Sequence, residues 1–108
     1  MKLVITPAAA SDLGELTSYL IKRSPSGLAK VLNVLETNMQ AIADGHLNGR
    51  KSFRDDVREV VDTEYGYLLP FFIEGDRAYI LRVYHSSRKG LNAKDIEDSL
   101  KTRNDDIS

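Results

Sequence analysis

The second half of the chain concentrates the side chains that could do chemistry. Residues 46–90 hold eight basic and seven acidic residues, although the 108-residue protein has a net charge of only −1. An arginine can bind a phosphate or a carboxylate through two parallel hydrogen bonds, and a histidine can exchange a proton near neutral pH. The arginines and histidines of this stretch are therefore candidates for binding, and they include Arg54, Arg58, Arg82, His85 and Arg88.

The charge pattern leaves two interpretations open. The arginines could lie together on one surface of the fold, where they would attract an anionic group. Alternatively, they could belong to an evenly solvated surface of mixed sign, which is common in soluble proteins. A general nucleic-acid binder usually has a clear basic excess, so the pI of about 6.1 argues against that class.

Several kinds of chemistry lack the residues that they need. The chain has no cysteine, hence no disulfide and no thiolate ligand or nucleophile. His46 and His85 are too far apart in sequence to form a metal-binding motif, and no glycine-rich phosphate loop occurs. Ser86 and Ser87 adjoin His85, but neighbouring strand residues point to opposite faces, so a Ser–His pair is not expected. We expect no metal and no cofactor.

Two helices come first among the elements that must position these side chains. A short β-branched stretch at the start predicts a strand. Thr6-Pro7 and Ser24-Pro25 then each combine an N-cap residue with a proline that tolerates the first helical position. Apolar residues at helical spacing follow both pairs, and Gly45 ends the second stripe. Because almost nothing separates the two helices, they should fold back as an αα-hairpin.

Strand-like segments follow after a polar loop. Residues 57–62, 67–74 and 77–85 predict three strands, the last two joined by a hairpin turn. Residues 91–108 predict a short C-terminal helix and an acidic tail that frays. The order is β-α-α-β-β-β with an optional C-terminal helix, which indicates an α+β fold. We expect residues 1–108 to form a single domain.

Pro70 disturbs the predicted meander. Proline cannot donate to a ladder, so its strand should be an edge at that point or carry a bulge. Strand alternation places Arg82 and His85 on opposite faces, and both could act in one pocket only if the strand bulges between them.

Composition and hydropathy point to a soluble protein. The hydrophobic share of 42% and the charged share of 29% are close to the globular average. No apolar run approaches the ~20 residues that a membrane-spanning helix needs. The N-terminal apolar run of three residues is also far shorter than the core of a signal peptide. We therefore expect a cytoplasmic protein with no membrane contact.

Several segments resemble the ParE/RelE superfamily of small toxins from bacterial type II toxin–antitoxin systems, and most closely the ParE branch, of plasmid stabilisation type. They are ITPAAASDLGELTSYLIKRSP, VREVVD and YLLPFFIEGDRAYILRVYHSSR, together with the apolar stripe of the second helix. The resemblance spans about residues 3–90. It implies the RelE/ParE-like fold, in which an N-terminal αα-hairpin packs on an antiparallel sheet.

The same resemblance implies a toxin that is silenced by a cognate antitoxin in a hetero-oligomer. Two mechanisms occur on this fold: ParE-like members inhibit DNA gyrase by binding, and RelE-like members cut messenger RNA on the ribosome. For RNA cleavage, the family positions make Arg58, Arg82, His85 and Arg88 the catalytic candidates. For inhibition by binding, these residues and Arg54 would contact the target or the antitoxin.

Charge and composition favour the ParE mechanism. A ribosome-binding toxin should profit from excess positive charge, which this chain lacks. RelE-like enzymes usually have a C-terminal tyrosine, and none follows Tyr84. Pro70, Phe71 and Phe72 depart from the family pattern, so a non-toxic protein-interaction module is a further alternative. The antitoxin is expected to dock as a helix beside the αα-hairpin or as an added strand on the sheet edge.

Overall fold

The computed structural model describes residues 1–87 and 93–104. Its elements, in chain order, are β1 (Lys2–Ile5), α1 (Pro7–Arg23), α2 (Pro25–Ala43), β2 (Arg50–Lys51), β3 (Val57–Val61), β4 (Tyr67–Glu74), β5 (Arg77–Ile80), β6 (Tyr84–His85) and α3 (Ala93–Lys101). The α+β class, the αα-hairpin and the short C-terminal helix are confirmed. The tail predicted to fray spans residues 104–108: Asn104 accepts a hydrogen bond from the Tyr79 hydroxyl, and residues 105–108 lie outside the described residues.

Both long helices begin at the predicted caps. The Thr6 hydroxyl accepts the Ala9 N–H at 3.2 Å, and the Ser24 hydroxyl accepts the Gly27 N–H at 3.1 Å. Each hydroxyl thereby satisfies a backbone donor that has no partner within its helix. Gly45 follows α2 with φ of 79°, a left-handed conformation that glycine adopts without a steric penalty.

The sheet is mixed, and this differs from the expected antiparallel sheet in one pairing. Its strand order is β1-β5-β4-β3-β2, and β6 extends the line of β5 along β4. Strands β2 to β6 pair antiparallel, whereas β1 lies parallel to β5. The αα-hairpin carries the chain from β1 to the far edge of the sheet. The returning meander then places β5 beside β1 in the same direction.

A β-bulge interrupts the last predicted strand. Phe71 pairs with Ile80, and Leu68 pairs with Tyr84, so three steps along β4 match four steps along the opposing chain. The extra residue lies opposite Pro70, whose nitrogen carries no hydrogen to donate. The prediction that Pro70 requires an edge or a bulge is therefore confirmed.

Helices cover both faces of the sheet. We call the face under α1 and α2 the front face; its buried side chains include Val60, Leu69, Phe71 and Ile80. The back face carries Val57, Tyr79 and Leu81, and α3 packs on it. The bulge lies just before β6, so it reverses the faces to which Val83, Tyr84 and His85 would point by simple alternation.

Candidate functional site

The Arg82 side chain binds helix α1. Its Nε and Nη2 atoms donate to the two carboxylate oxygens of Asp12 at 2.7 and 2.8 Å. The Val83 N–H donates to the same carboxylate at 2.9 Å. Asp12 is 6% exposed, so this is a buried, charge-assisted contact. The hydrogen bond from the guanidinium to Asp12 raises the pKa of Arg82 above its ordinary value.

The bulge shows in the residues on either side of Arg82. Leu81 packs in the core of the back face, and Val83 packs in the core of the front face. Arg82 lies between them and leaves the sheet toward α1. Simple alternation from Ile80 also places Arg82 on this side, whereas the bulge moves Val83 and His85 to it, and His85 pairs with Tyr67 of the front face. Arg82 and His85 therefore no longer lie on opposite faces.

His85 ends β6 and is bonded within its own turn. Its Nδ1 atom lies 2.6 Å from the Ser87 hydroxyl and accepts the Ser87 N–H at 3.1 Å. Its ring meets the Tyr67 ring edge-on, with centroids 5.2 Å apart. The expectation of no Ser–His contact is wrong for Ser87, because the strand ends at His85 and the turn brings residue 87 back. The Ser87 hydroxyl and the Ser87 N–H both contact His85 Nδ1, so this contact stabilises the turn after β6.

Arg54 and Arg58 lie on the β2–β3 hairpin and bind different partners. The Arg54 Nε atom lies 2.6 Å from the Asp56 carboxylate, and both side chains are more than two-fifths exposed. This hydrogen bond lowers the pKa of Asp56 and raises that of Arg54. The Arg58 guanidinium instead donates to the backbone carbonyls of Asn48 at 2.6 Å and Gly49 at 3.2 Å. It thus holds the chain that enters β2.

The predicted cations therefore do not converge on one point. Arg82 is bound to α1, Arg58 to the backbone at residues 48–49, and Arg54 to a neighbour in its turn. Arg88 lies outside the described residues. Of the three predicted binding arginines that the structure describes, Arg54 is the one that fits the interpretation of a solvated surface of mixed sign.

A groove between α1 and β6 does gather candidate side chains. Its volume is about 660 Å³, and it is lined by Asp12, Glu15, Leu16, Tyr19, Tyr67, Val83, Tyr84, His85 and Ser87. It thus contains His85 together with the carboxylate that holds Arg82. Tyr19 is 57% exposed, and the Arg23 guanidinium lies 3.9 Å from its ring centroid. Tyrosine rings with polar tips and aliphatic neighbours are typical of surfaces that bind protein segments.

Sequence reasoning missed the residues that α1 contributes to this groove. Asp12, Leu16 and Tyr19 recur at intervals of three to four, which places them on one helix face. That spacing was the available signal. The residues that face them across the groove, such as Val83 and His85, depend on the bulge, which the helical spacing does not reveal.

A second polar network lies at the edge of the back face, and it was also missed. The Arg50 guanidinium donates to Glu59 Oε1 at 2.7 and 3.0 Å, and the Tyr84 hydroxyl donates to Oε2 at 3.3 Å. Burial, reinforced by the negative charge of Glu59, raises the pKa of Tyr84 to about 12. Tyr84 therefore stays protonated at physiological pH, and the network ties β2, β3 and β6 together.

Neither a metal site nor a membrane-spanning helix is found among the described residues. Within residues 1–87 and 93–104, no group of three or more His, Asp or Glu side chains is placed to hold a metal ion. In the same part of the chain, no helix is both long and apolar enough to span a bilayer.

The αα-hairpin on a mixed sheet, with a groove beside its first helix, is the architecture of small toxins of type II toxin–antitoxin systems. The model of the family described as the ParE toxin of the type II toxin–antitoxin system, parDE, matches residues 3–90. The chain belongs to this family, as the sequence segments indicated.

A solved structure shares the fold. A chain of the chromosomal ParDE toxin–antitoxin system from P. aeruginosa superposes with a TM-score of 0.69 and 23% sequence identity. The match covers 79% of this chain and 95% of that chain. No curated protein sequence matches the chain significantly.

Proposed function

We propose that this ParE-family toxin inhibits DNA gyrase by binding, without chemistry of its own. The observation that carries the proposal is the internal use of its arginines. An RNA-cleaving site must gather positive charge around a phosphate. Here the Arg82 guanidinium is bound by Asp12, and the Arg58 guanidinium is bound by backbone carbonyls. Because gyrase acts on the chromosome, we place the toxin in the cytoplasm.

A supercoiling assay with purified gyrase and the purified chain tests this proposal. We expect the toxin to block supercoiling increasingly as its concentration rises, without cutting any RNA. Toxicity without any loss of supercoiling at micromolar toxin would contradict gyrase as the target. Harmless expression in the absence of any antitoxin would support the non-toxic interaction module instead.

Toeprinting on translating ribosomes tests the RelE-type alternative directly. His85→Ala is the informative variant, because His85 is partly exposed at the end of β6 and does not take part in the buried Asp12–Arg82 contact. We expect neither the parent nor the variant to cut messenger RNA. Cleavage by the parent that His85→Ala abolishes would establish the endonuclease and replace the gyrase proposal.

We further propose that a cognate antitoxin binds in the groove between α1 and β6. Tyr19 is the most exposed aromatic side chain of that groove, and aromatic side chains often dominate binding energy at interfaces. Tyr19→Ala should weaken binding of the small protein encoded beside the toxin gene at least tenfold. Ile21→Ala is the matched control, because Ile21 is similarly exposed on α1 but does not line the groove.

Among the candidate binding residues that the structure describes, Arg54 is exposed, whereas Arg58, Arg82 and His85 are partly buried. The Arg54 pair with Asp56 is solvent-exposed, and such pairs contribute little to stability, so a partner carboxylate could replace Asp56. Arg54→Ala should therefore lower affinity for a partner without lowering the unfolding midpoint. If Arg54→Ala lowered both the affinity and the unfolding midpoint, Arg54 would contribute to the stability of the fold, as Arg58 and Arg82 do.

A further inference from the structure

The back face of the sheet is covered by a helix that lies beyond the family match. The match ends at residue 90, and α3 spans Ala93–Lys101. Ile96 and Leu100 of α3 are almost fully buried against Val57, Tyr79 and Leu81. Helices of this length are marginal in isolation, so α3 depends on this docking.

A backbone defect lies beneath α3. The Leu81 N–H donates to the Pro70 carbonyl at 2.9 Å. In a regular antiparallel pair, the opposing residue returns a second hydrogen bond. Pro70 has no N–H, so it cannot donate to the Leu81 carbonyl. A buried carbonyl without a donor costs free energy.

Ser99 of α3 supplies the missing donor. Its hydroxyl donates to the Leu81 carbonyl at 2.6 Å, and Ser99 is only 1% exposed. The Thr6 hydroxyl lies 3.3 Å from that of Ser99, 2.8 Å from the Ile80 carbonyl and 3.1 Å from the Leu81 carbonyl. Since each hydroxyl has one proton, the shorter distances assign Ser99 to Leu81 and Thr6 to Ile80.

The end of α3 is attached as well. The Tyr79 hydroxyl donates to the Asn104 side chain at 2.9 Å. The Arg103 guanidinium contacts the Glu74 carboxylate at 3.2 Å and lies 5.2 Å from the Phe72 ring centroid. Apolar, hydrogen-bonding and cationic contacts therefore hold α3 along its length.

We infer that α3 is a fixed cover of the back face and that Ser99 is a positioning residue, which provides the hydrogen bond that Pro70 cannot make. The back face is then closed to protein partners, which reach this toxin from the groove between α1 and β6. Only this last consequence rests on the proposed function.

A double-mutant cycle between the two positions tests the role of Ser99. Ser99→Ala should speed hydrogen exchange of the α3 amides about tenfold, the equivalent of one buried hydrogen bond of about 1.4 kcal/mol. Pro70→Ala restores a backbone N–H opposite Leu81, so Ser99→Ala in that background should speed exchange less than threefold. Glu97→Ala, an exposed position on α3, is the control and should change little. Equal effects of Ser99→Ala in both backgrounds would overturn the assignment.

Hydrogen exchange of the unaltered chain tests the cover without any substitution. If α3 is a fixed part of the fold, its most protected amides should open within about tenfold of those in β4 and β5. Opening more than a hundredfold more often than the sheet would identify a loosely attached helix and overturn the inference.

A disulfide tests whether α3 must leave for the toxin to act. The chain has no cysteine, and the Thr6 and Ser99 hydroxyls are adjacent, so Thr6→Cys with Ser99→Cys can lock α3 down. The oxidised and reduced forms of this one variant should inhibit gyrase supercoiling equally. Inhibition by the reduced form alone would overturn the fixed cover. Inhibition by neither form, with the parent also inactive, would count against gyrase as the target and leave the exchange result to decide the inference.

Discussion

Arg82 and Asp12 are separated by 70 positions in the chain, yet the guanidinium of one binds both carboxylate oxygens of the other. The contact joins the bulge of the sheet to the first helix, at the rim of the groove. Arg82 was predicted to bind a target or an antitoxin. That role stays a prediction; in the structure, Arg82 links α1 to the sheet beside the groove.

Removal of one partner of this pair should be costly. Asp12→Asn should lower the free energy of unfolding by about 3 kcal/mol, because it leaves a mostly buried guanidinium without its counter-charge. Urea denaturation measures the change. The matched control is Asp56→Asn, which breaks an ion pair of similar length at the surface and should leave the midpoint almost unchanged. Equal midpoints for the two variants would show that the buried pair has no special role.

Tyr84, at the edge of the back face, should lose its proton at a higher pH than an ordinary tyrosine. The pKa of Tyr84 is raised to about 12, first by burial and then by the charge of Glu59. The folded state therefore holds this proton more tightly than the unfolded state does. The resulting stability is fully present below about pH 10 and is lost as the pH rises through about 12. NMR of ring-labelled tyrosine resolves the five residues individually.

Glu59→Gln is the informative variant for this titration. It removes the negative charge beside the Tyr84 hydroxyl but keeps the burial, so the Tyr84 midpoint should fall while staying above the ordinary tyrosine value. A Tyr84 resonance that titrates near pH 10 in the folded parent would contradict the structure.

Gly66 and Gly75 both have a left-handed backbone, but only Gly66 has a side chain close to the position of an added Cβ. Substitutions at the two sites therefore distinguish the cost of backbone strain from the cost of a steric contact. Gly66 has φ of 82°, and a Cβ there would lie 3.0 Å from the His85 ring. Gly75 has φ of 60° with open space around it. Gly75→Ala should cost about 1–2 kcal/mol from backbone strain alone. Gly66→Ala should cost more and should also shift the ring resonances of His85 and Tyr67. Equal costs would mean that the His85 ring moves aside freely.

The junction of the two helices depends on one hydroxyl. Ser24→Ala should lower the free energy of unfolding by about 1 kcal/mol, because the Gly27 N–H loses its acceptor. Ser24→Asp retains an acceptor and should recover most of the loss. Ser26→Ala, at an exposed position two residues along, should change stability by less than about 0.5 kcal/mol. A larger effect at Ser26 than at Ser24 would contradict the capping geometry.

Local features of the fold could be predicted well from the sequence. Thr6-Pro7 and Ser24-Pro25 start the helices, and Gly45 ends the second one, because caps and backbone conformations involve only a few neighbouring residues. The bulge opposite Pro70 could also be anticipated, because proline has no N–H to donate to a β-ladder. The candidate site could be predicted only as a set of residue types.

The tertiary structure decided the partners. The partners are Asp12 for Arg82, the carbonyls of residues 48–49 for Arg58, and Ser99 for the Leu81 carbonyl. Each comes from an element that only the folded chain brings alongside. A charge or an unpaired carbonyl specifies that a partner is needed, but many residues could supply it. Only the packed sheet and its two helical layers determine which one lies within hydrogen-bonding distance.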